Sequence, residues 1–307
     1  MLLLVLVCVT AAQHMADDNC DAAPKLTMVL EAQADQRWRH RELVPCQVSL
    51  DEVTARIPAS VFASATLDEA GQLEDAPLFH DDRPHHQGDC FRAVRDDFIT
   101  DEVGAALLSL LDEYFEKERT ALRNKSEDAS EVLLPNVAAL LNGKQKELLD
   151  AVAAKVRTTL QTEFFTPALS NPFIVARSSL KENGDIEGAE LESAERRREF
   201  SDGRLKLGRL RASDAAVLPH VDAAYLPKVA YSALVYLGEP VVGGETLILD
   251  SLNEEGVISA GLLCAPQRGR VLLYSAGPEN VHTGAGNLRG RRTLLQFWWQ
   301  LEESAPA

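Results

Sequence analysis

Positive charge, long apolar runs and cysteine are all scarce in this sequence. Its 31 Lys and Arg residues stand against 47 Asp and Glu residues, and the formal net charge is -16 at pH 7. Binding to nucleic-acid phosphates requires clustered basic residues, so this composition argues against a nucleic-acid-binding protein. No apolar run reaches the roughly 20 residues that a transmembrane helix needs, so we expect no stable membrane span.

The first nine residues, MLLLVLVCV, form the most apolar segment, and small residues follow them. An apolar segment of this length before small residues is typical of a secretory signal peptide. We therefore predict a signal peptide at residues 1–16 and a location in the secretory pathway, either in the endoplasmic reticulum lumen or secreted. The alternative is a hydrophobic start with no targeting role, because no Lys or Arg precedes the run.

The chain has only five cysteines, and their spacing does not match a zinc site. Cys8 lies within the predicted signal peptide. In an oxidising compartment two of Cys20, Cys46 and Cys90 can pair, but the sequence leaves the pairing open. We interpret Cys264 as a buried, inert thiol. The sequence Asn124-Lys125-Ser126 is a glycosylation sequon in a charged stretch.

Local patterns divide the chain into three parts. Residues 17–88 contain short apolar pieces and scattered prolines, and we predict an irregular N-terminal extension there. A helix begins after Thr100, a candidate N-cap, and a second long helix is predicted from Asn136 to about Phe164 because apolar residues recur at helical spacing. We place the main domain at residues 89–305.

Beyond Pro167 the pattern changes to short runs rich in β-branched and apolar residues, which turn residues separate. The predicted strands start at Phe173, Arg204, Tyr231, Glu245, Arg270 and Arg292. Glu187 to Arg198 is a dense charge run, which we interpret as a solvated loop or short helix. Helices followed by many short strands predict an α+β fold in which the strands form a barrel or sandwich.

One group of residues in this β-rich part suggests metal chemistry. In His220-Val221-Asp222 the imidazole and the carboxylate are two residues apart, so in a strand they project to the same side. His282 follows a later predicted strand. Two His and one carboxylate form the facial triad of non-haem Fe(II) oxygenases, in which three coordination positions stay open. His80-Asp81-Asp82 has similar spacing, but it lies beside Pro84 in a predicted loop, and we interpret it as a polar linker.

Gly290-Arg291-Arg292 follows His282 at a predicted strand start. A fixed guanidinium binds a carboxylate through two charge-assisted hydrogen bonds, so Arg292 is a candidate anchor for a dicarboxylate. The alternative for an arginine in this position is a solvated surface charge.

The order of motifs resembles a known family. PHVDAAYL, YSALVYL, GGET, PQRGRVLLYSAGPENVH and GRRTLLQFWW follow one another from Pro219 onwards. They resemble the catalytic domain of prolyl-hydroxylase-type Fe(II)/2-oxoglutarate oxygenases, most closely the prolyl 3-hydroxylase (leprecan) type. The resemblance extends over roughly residues 90 to 303.

This resemblance implies a double-stranded β-helix (jelly roll) supported by the two long helices. It implies iron ligands at His220, Asp222 and His282, and 2-oxoglutarate binding by Tyr236 and Arg292, with Arg291 facing the other way. The implied reaction consumes O2, decarboxylates 2-oxoglutarate to succinate and hydroxylates a prolyl or lysyl side chain of a peptide or protein. Ascorbate is the implied reductant that restores oxidised iron.

Several residues near these motifs have more than one reading. Tyr225, Tyr231 and Tyr274 either line the pocket or pack in the barrel, and we favour packing for the last two. Of the neighbours Trp298 and Trp299, one faces inward and one outward. Asn280 either braces the iron-binding turn or forms it.

Two functional alternatives stay open: an oxygenase acting on a small molecule, and a barrel that binds without turnover. The chain also departs from the leprecan type, since no long helical repeat region precedes the domain. The sequence does not decide the oligomeric state or the hydroxylated position.

Overall fold

Strands that alternate between two facing sheets dominate the C-terminal half of the chain. The computed structural model describes residues 25–29, 38–46, 48, 50–57, 90–125, 130–181, 217–225, 228–238, 242–254 and 256–302. The strands are β1 (Lys25–Val29), β2 (His40–Val44), β3 (Cys90–Arg95), β4 (Glu131–Leu134), β5 (Phe173–Lys181), β6 (Val217–His220), β7 (Val229–Tyr236), β8 (Val242–Gly243), β9 (Thr246–Leu252), β10 (Ile258–Cys264), β11 (Val271–Ser275), β12 (His282–Gly284) and β13 (Asn287–Gln300). The helices are α1 (Leu50–Arg56), α2 (Asp101–Asn124), α3 (Val137–Leu140), α4 (Gly143–Glu163) and α5 (Asp222–Tyr225), with a 3-10 turn at Pro278–Asn280.

The strand order is that of a double-stranded β-helix. The larger sheet runs β2-β3-β11-β7-β13-β5-β4, and β8 pairs with β13. The smaller sheet runs β1-β10-β9-β12-β6. From β5 onwards the chain crosses repeatedly from one sheet to the other, and neighbours within each sheet come from distant parts of the sequence. The predicted jelly roll is confirmed.

Two layers of core residues flank the larger sheet. Its outer face packs against α2 and α4, which bury Leu107, Leu111 and Phe115 and, from α4, Val156 and Leu160. Its inner face meets the smaller sheet through a separate apolar cluster that contains Leu234, Ile248, Leu262, Leu272 and Leu294. Successive side chains of a strand point to opposite faces, so the same strands supply both layers.

The helical support differs from the prediction at one point. Thr100 caps α2 as expected, accepting a hydrogen bond from the backbone N of Val103 at 3.4 Å. The second predicted helix is interrupted between α3 and α4, where Leu141 and Asn142 are extended and Gly143 has a φ of +45°. Asn and Gly favour such turn conformations, and here they outweigh the helical spacing of the apolar residues.

The prediction of an irregular extension at residues 17–88 was wrong for part of that range. β1 adds a parallel strand to β10, and β2 pairs with β3. Val53 of α1 and Ile57, the residue after this helix, pack against the outer side of the smaller sheet. Cys46 and Cys90 form a disulfide that joins the end of β2 to the start of β3, with Cα atoms 5.0 Å apart. Short strands at sheet edges show little periodicity of their own, which is why the sequence did not reveal them.

Candidate metal and dicarboxylate site

The His220-Val221-Asp222 motif lies where β6 ends and α5 begins. His220 is the last residue of the strand, and Asp222 is the first of the helical turn. Between them Val221 is buried in the apolar cluster behind the smaller sheet, which turns both polar side chains to the interior of the barrel. The Nε2 atom of His220 lies 3.9 Å from Oδ1 of Asp222.

His282 reaches the same point from the neighbouring strand. It starts β12 and pairs directly with His220 across the antiparallel ladder, so the two imidazole centroids are 4.2 Å apart. Its Nδ1 lies 3.1 Å from the carbonyl oxygen of Asn280, and a protonated Nδ1 donates to that oxygen. This hydrogen bond leaves the lone pair of Nε2 directed into the site, 3.6 Å from Oδ1 of Asp222.

The side chain of Asn280 braces this turn, one of its two predicted roles. Its amide nitrogen donates to the carbonyl oxygens of Phe91 and Ser275, at 3.1 and 2.9 Å, and also lies 2.9 Å from the hydroxyl of Ser275. Asn280 also belongs to the 3-10 turn itself, so it both forms the turn and braces it. The turn that presents His282 is thereby fixed to β3 and β11 of the opposite sheet.

Three hydrogen-bond donors of the larger sheet hold the carboxylate of Asp222. Oδ2 accepts from the hydroxyls of Ser232 at 2.5 Å and Tyr274 at 2.8 Å, and Oδ1 accepts from the amide of Gln296 at 3.1 Å. Ser232 and Gln296 were not among the predicted site residues. Both are polar residues inside apolar strand sequences, and this feature of the sequence could have indicated a role in the site. Tyr274 packs in the core as predicted, but its hydroxyl also contacts the site.

Asp222 is charged although it is fully buried. Burial alone raises the pKa of a carboxyl, but His282, His220 and the hydroxyls of Ser232 and Tyr274 outweigh it and lower the pKa of Asp222. Burial, and then the nearby carboxylate, raises the pKa of Tyr274 well above its ordinary value. Tyr274 therefore keeps its proton at neutral pH and remains a donor.

The donor set fits a divalent transition metal. Within the described part of the chain, ligand atoms of His220, Asp222 and His282 lie within 4.8 Å of one another. Two ligands at about 2.1 Å from one ion are separated by no more than about 4.2 Å, and the two imidazole–carboxylate distances satisfy this limit. Two imidazoles and one carboxylate are the ligand types of non-haem Fe(II) sites.

A hydrogen-bonded group at the bottom of the same pocket fits a dicarboxylate. Thr246 links Tyr236 and Arg292: its hydroxyl lies 2.7 Å from the Tyr236 hydroxyl and 3.0 Å from Nη2 of Arg292. The buried Nε of Arg292 has no hydrogen-bond partner among the described residues, so a donor remains for a ligand. His220, His282, Thr246 and Arg292 all line one open pocket. Tyr236 stands behind Thr246, is almost fully buried and does not line the pocket.

The two glycines before Thr246 make room for this arrangement. Both have positive φ angles, +82° at Gly243 and +71° at Gly244. A Cβ at Gly244 would lie 2.9 Å from Cδ of Arg292, and one at Gly243 would lie 2.5 Å from the carbonyl oxygen of Gly286. Any side chain at Gly244 would therefore displace Arg292.

Other residues singled out in the sequence have clear positions. Arg291 faces away from the pocket, as predicted, and binds Asp112 of α2 at 2.8 Å. Tyr231 packs against Phe91 in the helix-side core, and Cys264 is a buried free thiol whose pKa burial raises. Trp299 is fully buried on the helix side, whereas Trp298 is on the opposite face of β13 and stacks on Phe173.

Several predictions fall outside the described residues. These are the signal peptide at residues 1–16, Cys20, the linker at residues 80–86, the charge run at 187–198 and the strand starting at Arg204. The side chain of Tyr225 also lies outside them. Asn124 of the sequon is exposed at the end of α2. No helix of the described residues is long and apolar enough to cross a membrane.

Comparison with known proteins gives structural neighbours only. No family model matches the chain, and no curated protein matches it significantly. The viral collagen prolyl hydroxylase of Paramecium bursaria Chlorella virus 1, solved with 2-oxoglutarate, is 13% identical with a TM-score of 0.41, over 69% of this chain and 96% of that one. A Pseudomonas putida prolyl 4-hydroxylase is 13% identical with a TM-score of 0.40, over 71% and 95%. The epimerase SnoN of nogalamycin biosynthesis is 15% identical with a TM-score of 0.37, over 68% and 77%.

Similarity at this level does not identify a family. The fold assignment rests on the strand order, and the site assignment rests on the residues described above. The closer resemblance to the prolyl 3-hydroxylase type stays a prediction from the motifs.

Proposed function

We propose that the chain is an Fe(II)- and 2-oxoglutarate-dependent dioxygenase. The observation that carries this proposal is the convergence of His220, Asp222 and His282 at one pocket that Arg292 also lines, with the buried Nε of Arg292 unsatisfied among the described residues. An iron ion with three protein ligands keeps positions open for a chelating cosubstrate and O2. Arg292 would bind the distal carboxylate of 2-oxoglutarate, and Thr246 and Tyr236 hold that guanidinium in place.

The iron and cosubstrate, when bound, supply the oxidising chemistry, which couples decarboxylation of 2-oxoglutarate to succinate with oxidation of a substrate carbon. The chain's own residues orient the metal ligands and keep water from one side of the pocket. Ser232, Tyr274 and Gln296 fix the Asp222 carboxylate, while the carbonyl of Asn280 sets the tautomer of His282. Leu234 and Leu294 line the pocket and keep it apolar on one side.

For the substrate we propose a prolyl or lysyl side chain, by the motif resemblance to prolyl hydroxylases. The remaining expectations, ascorbate as reductant and action in the secretory pathway, belong to the same proposal. The disulfide between Cys46 and Cys90 supports an oxidising compartment, because such bonds persist there. The alternatives are an oxygenase for a small molecule and a barrel that binds without turnover.

The proposal is tested by assaying succinate formation from 2-oxoglutarate by the full-length protein with Fe(II) and ascorbate. A panel of proline- and lysine-containing peptides and free amino acids is added in turn. We expect iron-dependent turnover that His220→Ala abolishes. The matched control is His40→Ala, which removes a histidine on the edge strand β2 that contacts Glu42.

Two results would contradict the proposal in different ways. If the folded protein binds Fe(II) but no member of the panel yields succinate above the His220→Ala background, the barrel has a binding role. If an anaerobic titration detects no Fe(II) binding at all, the metal site itself is refuted.

A further inference from the structure

A second arginine, Arg177, lines the pocket between the candidate metal ligands and Arg292. It belongs to β5, where it pairs directly with Leu294 of β13, while Arg292 pairs with Ser179 two residues further along β5. Arg177 and Arg292 are thus diagonal neighbours on the inner face of the sheet, and the Cα atoms of such neighbours are about 7–8 Å apart. The part of the pocket lining that the structure describes includes both arginines and no Asp or Glu side chain, and the candidate metal ligand Asp222 lies fully buried beside it.

The surroundings of Arg177 leave part of its guanidinium unsatisfied. Its Nε is buried and has no hydrogen-bond partner among the described residues. Among the described residues, the carboxylate of Glu131 on β4 lies 3.7 Å from Nη1 of Arg177, and the Glu131 side chain is 40% exposed. An ion pair this long and this exposed is weak, and because it involves Nη1 it leaves the buried Nε without an acceptor among the described residues.

A buried guanidinium donor without an acceptor is matched best by a carboxylate, which accepts two parallel hydrogen bonds from such a group. The two carboxylates of 2-oxoglutarate already have partners in the proposed function, one at the metal and one at Arg292. A further carboxylate at Arg177 therefore belongs to the compound that is oxidised. The chain as a whole has a formal net charge of -16, whereas the described lining of this pocket carries two arginines.

We propose that Arg177 binds the free carboxylate of the substrate, which is a small amino acid or the C-terminal residue of a peptide. This inference rests on the proposed oxygenase function and narrows its substrate class. A prolyl or lysyl residue inside a longer chain carries no such group. The expected substrate is therefore a prolyl or lysyl compound with a free α-carboxylate.

The test is equilibrium binding to the full-length protein loaded with Mn(II) and 2-oxoglutarate without oxygen, measured by calorimetry. The probes are two matched pairs: N-acetyl-L-proline and N-acetyl-L-prolinamide, and Nα-acetyl-L-lysine and its amide. We expect one acid to bind at least about tenfold more tightly than its amide, as a charge-assisted hydrogen bond requires. In Arg177→Gln this preference disappears, and the Kd for 2-oxoglutarate stays within about twofold of the wild-type value.

The matched control is Arg291→Gln, which removes an arginine of the same sheet that faces α2. It should retain the preference for the acid. Equal binding of acids and amides, or binding of neither, overturns the proposal. A weaker Kd for 2-oxoglutarate in Arg177→Gln with an unchanged acid preference also overturns it, because Arg177 would then bind the cosubstrate. Since 2-oxoglutarate binding is measured separately, failure here is distinct from failure of the oxygenase proposal.

Discussion

The hydroxyl of Tyr274 offers the sharpest test of how the metal site is held. Tyr274→Phe removes one of the two donors to Oδ2 of Asp222 and leaves the ring in the barrel core. Asp222 is fully buried, so water does not replace the lost hydrogen bond. A hydrogen bond to a charged group is worth about 1.5–3 kcal/mol, and residues that orient metal ligands affect metal affinity about 10–100-fold.

Ser232 still holds Oδ2 in this variant, so we expect the lower end of that range, an approximately tenfold higher Kd for Fe(II) or Co(II). Ser232→Ala combined with Tyr274→Phe should approach 100-fold. Anaerobic titration of Co(II) followed by visible absorption measures both values. Tyr114→Phe is the matched control, since the Tyr114 hydroxyl donates to the carbonyl of Leu140 between the support helices. Wild-type metal affinity in a folded Tyr274→Phe protein would refute the reasoning.

Three further predictions concern stability and cosubstrate binding. Asp96 bridges Arg39 and Arg270 at 2.6 Å each; Asp96→Ala should cost about 3–5 kcal/mol in urea unfolding, against a few tenths for exposed Asp150→Ala. Burial opposes ionisation of Asp96, but the arginines lower its pKa below the ordinary value of 3.8, so this stabilisation is present at neutral pH and is lost as the pH falls through the acidic range below that value. If the urea midpoint of the wild-type protein is no more sensitive to acid than that of Asp96→Asn, the reasoning is wrong. The Cys46–Cys90 disulfide closes a loop of 44 residues, and its reduction should lower the free energy of unfolding by about 4 kcal/mol. A free energy of unfolding that dithiothreitol does not change would disprove the pairing. Gly244→Ala should weaken 2-oxoglutarate binding at least tenfold, whereas Gly256→Ala, at a similar φ with open space around it, should not.

The sequence predicted the elements of the fold that have a clear helical or strand pattern of apolar residues. The helical stripe and the Thr100 cap located α2, and apolar runs located β5, β7, β9, β11 and β13. The motif order then gave the jelly roll that periodicity alone left as a barrel or sandwich. The predicted strands did not include β1, β2, β3, β4, β8, β10 and β12. Of these, the edge strands β1, β2 and β4 are defined by their partners rather than by their own residues.

The residues of the site also fall into two groups, those that the sequence predicted and those that it did not. His220 and Asp222 are two residues apart and Arg292 follows His282 by ten residues, so two short stretches of sequence contain all four. Their supporting donors come from separate strands, and no spacing connects Ser232 with Asp222 before the sheets are assembled. Gln296 and Arg177 depend in addition on which face of a strand is turned inward, and that follows from strand pairing rather than from residue type.

The candidate metal site joins the two sheets. Its imidazoles come from β6 and β12 of the smaller sheet, whereas the three donors to the carboxylate belong to β7, β11 and β13 of the larger one. An ion bound there acts as a cross-link across the inner core, so its affinity depends on the spacing of the sheets. A cavity such as that left by Leu272→Ala, in the apolar layer that separates them, would then loosen metal binding without touching a ligand. Conversely, metal loading should raise the temperature at which the sheets separate.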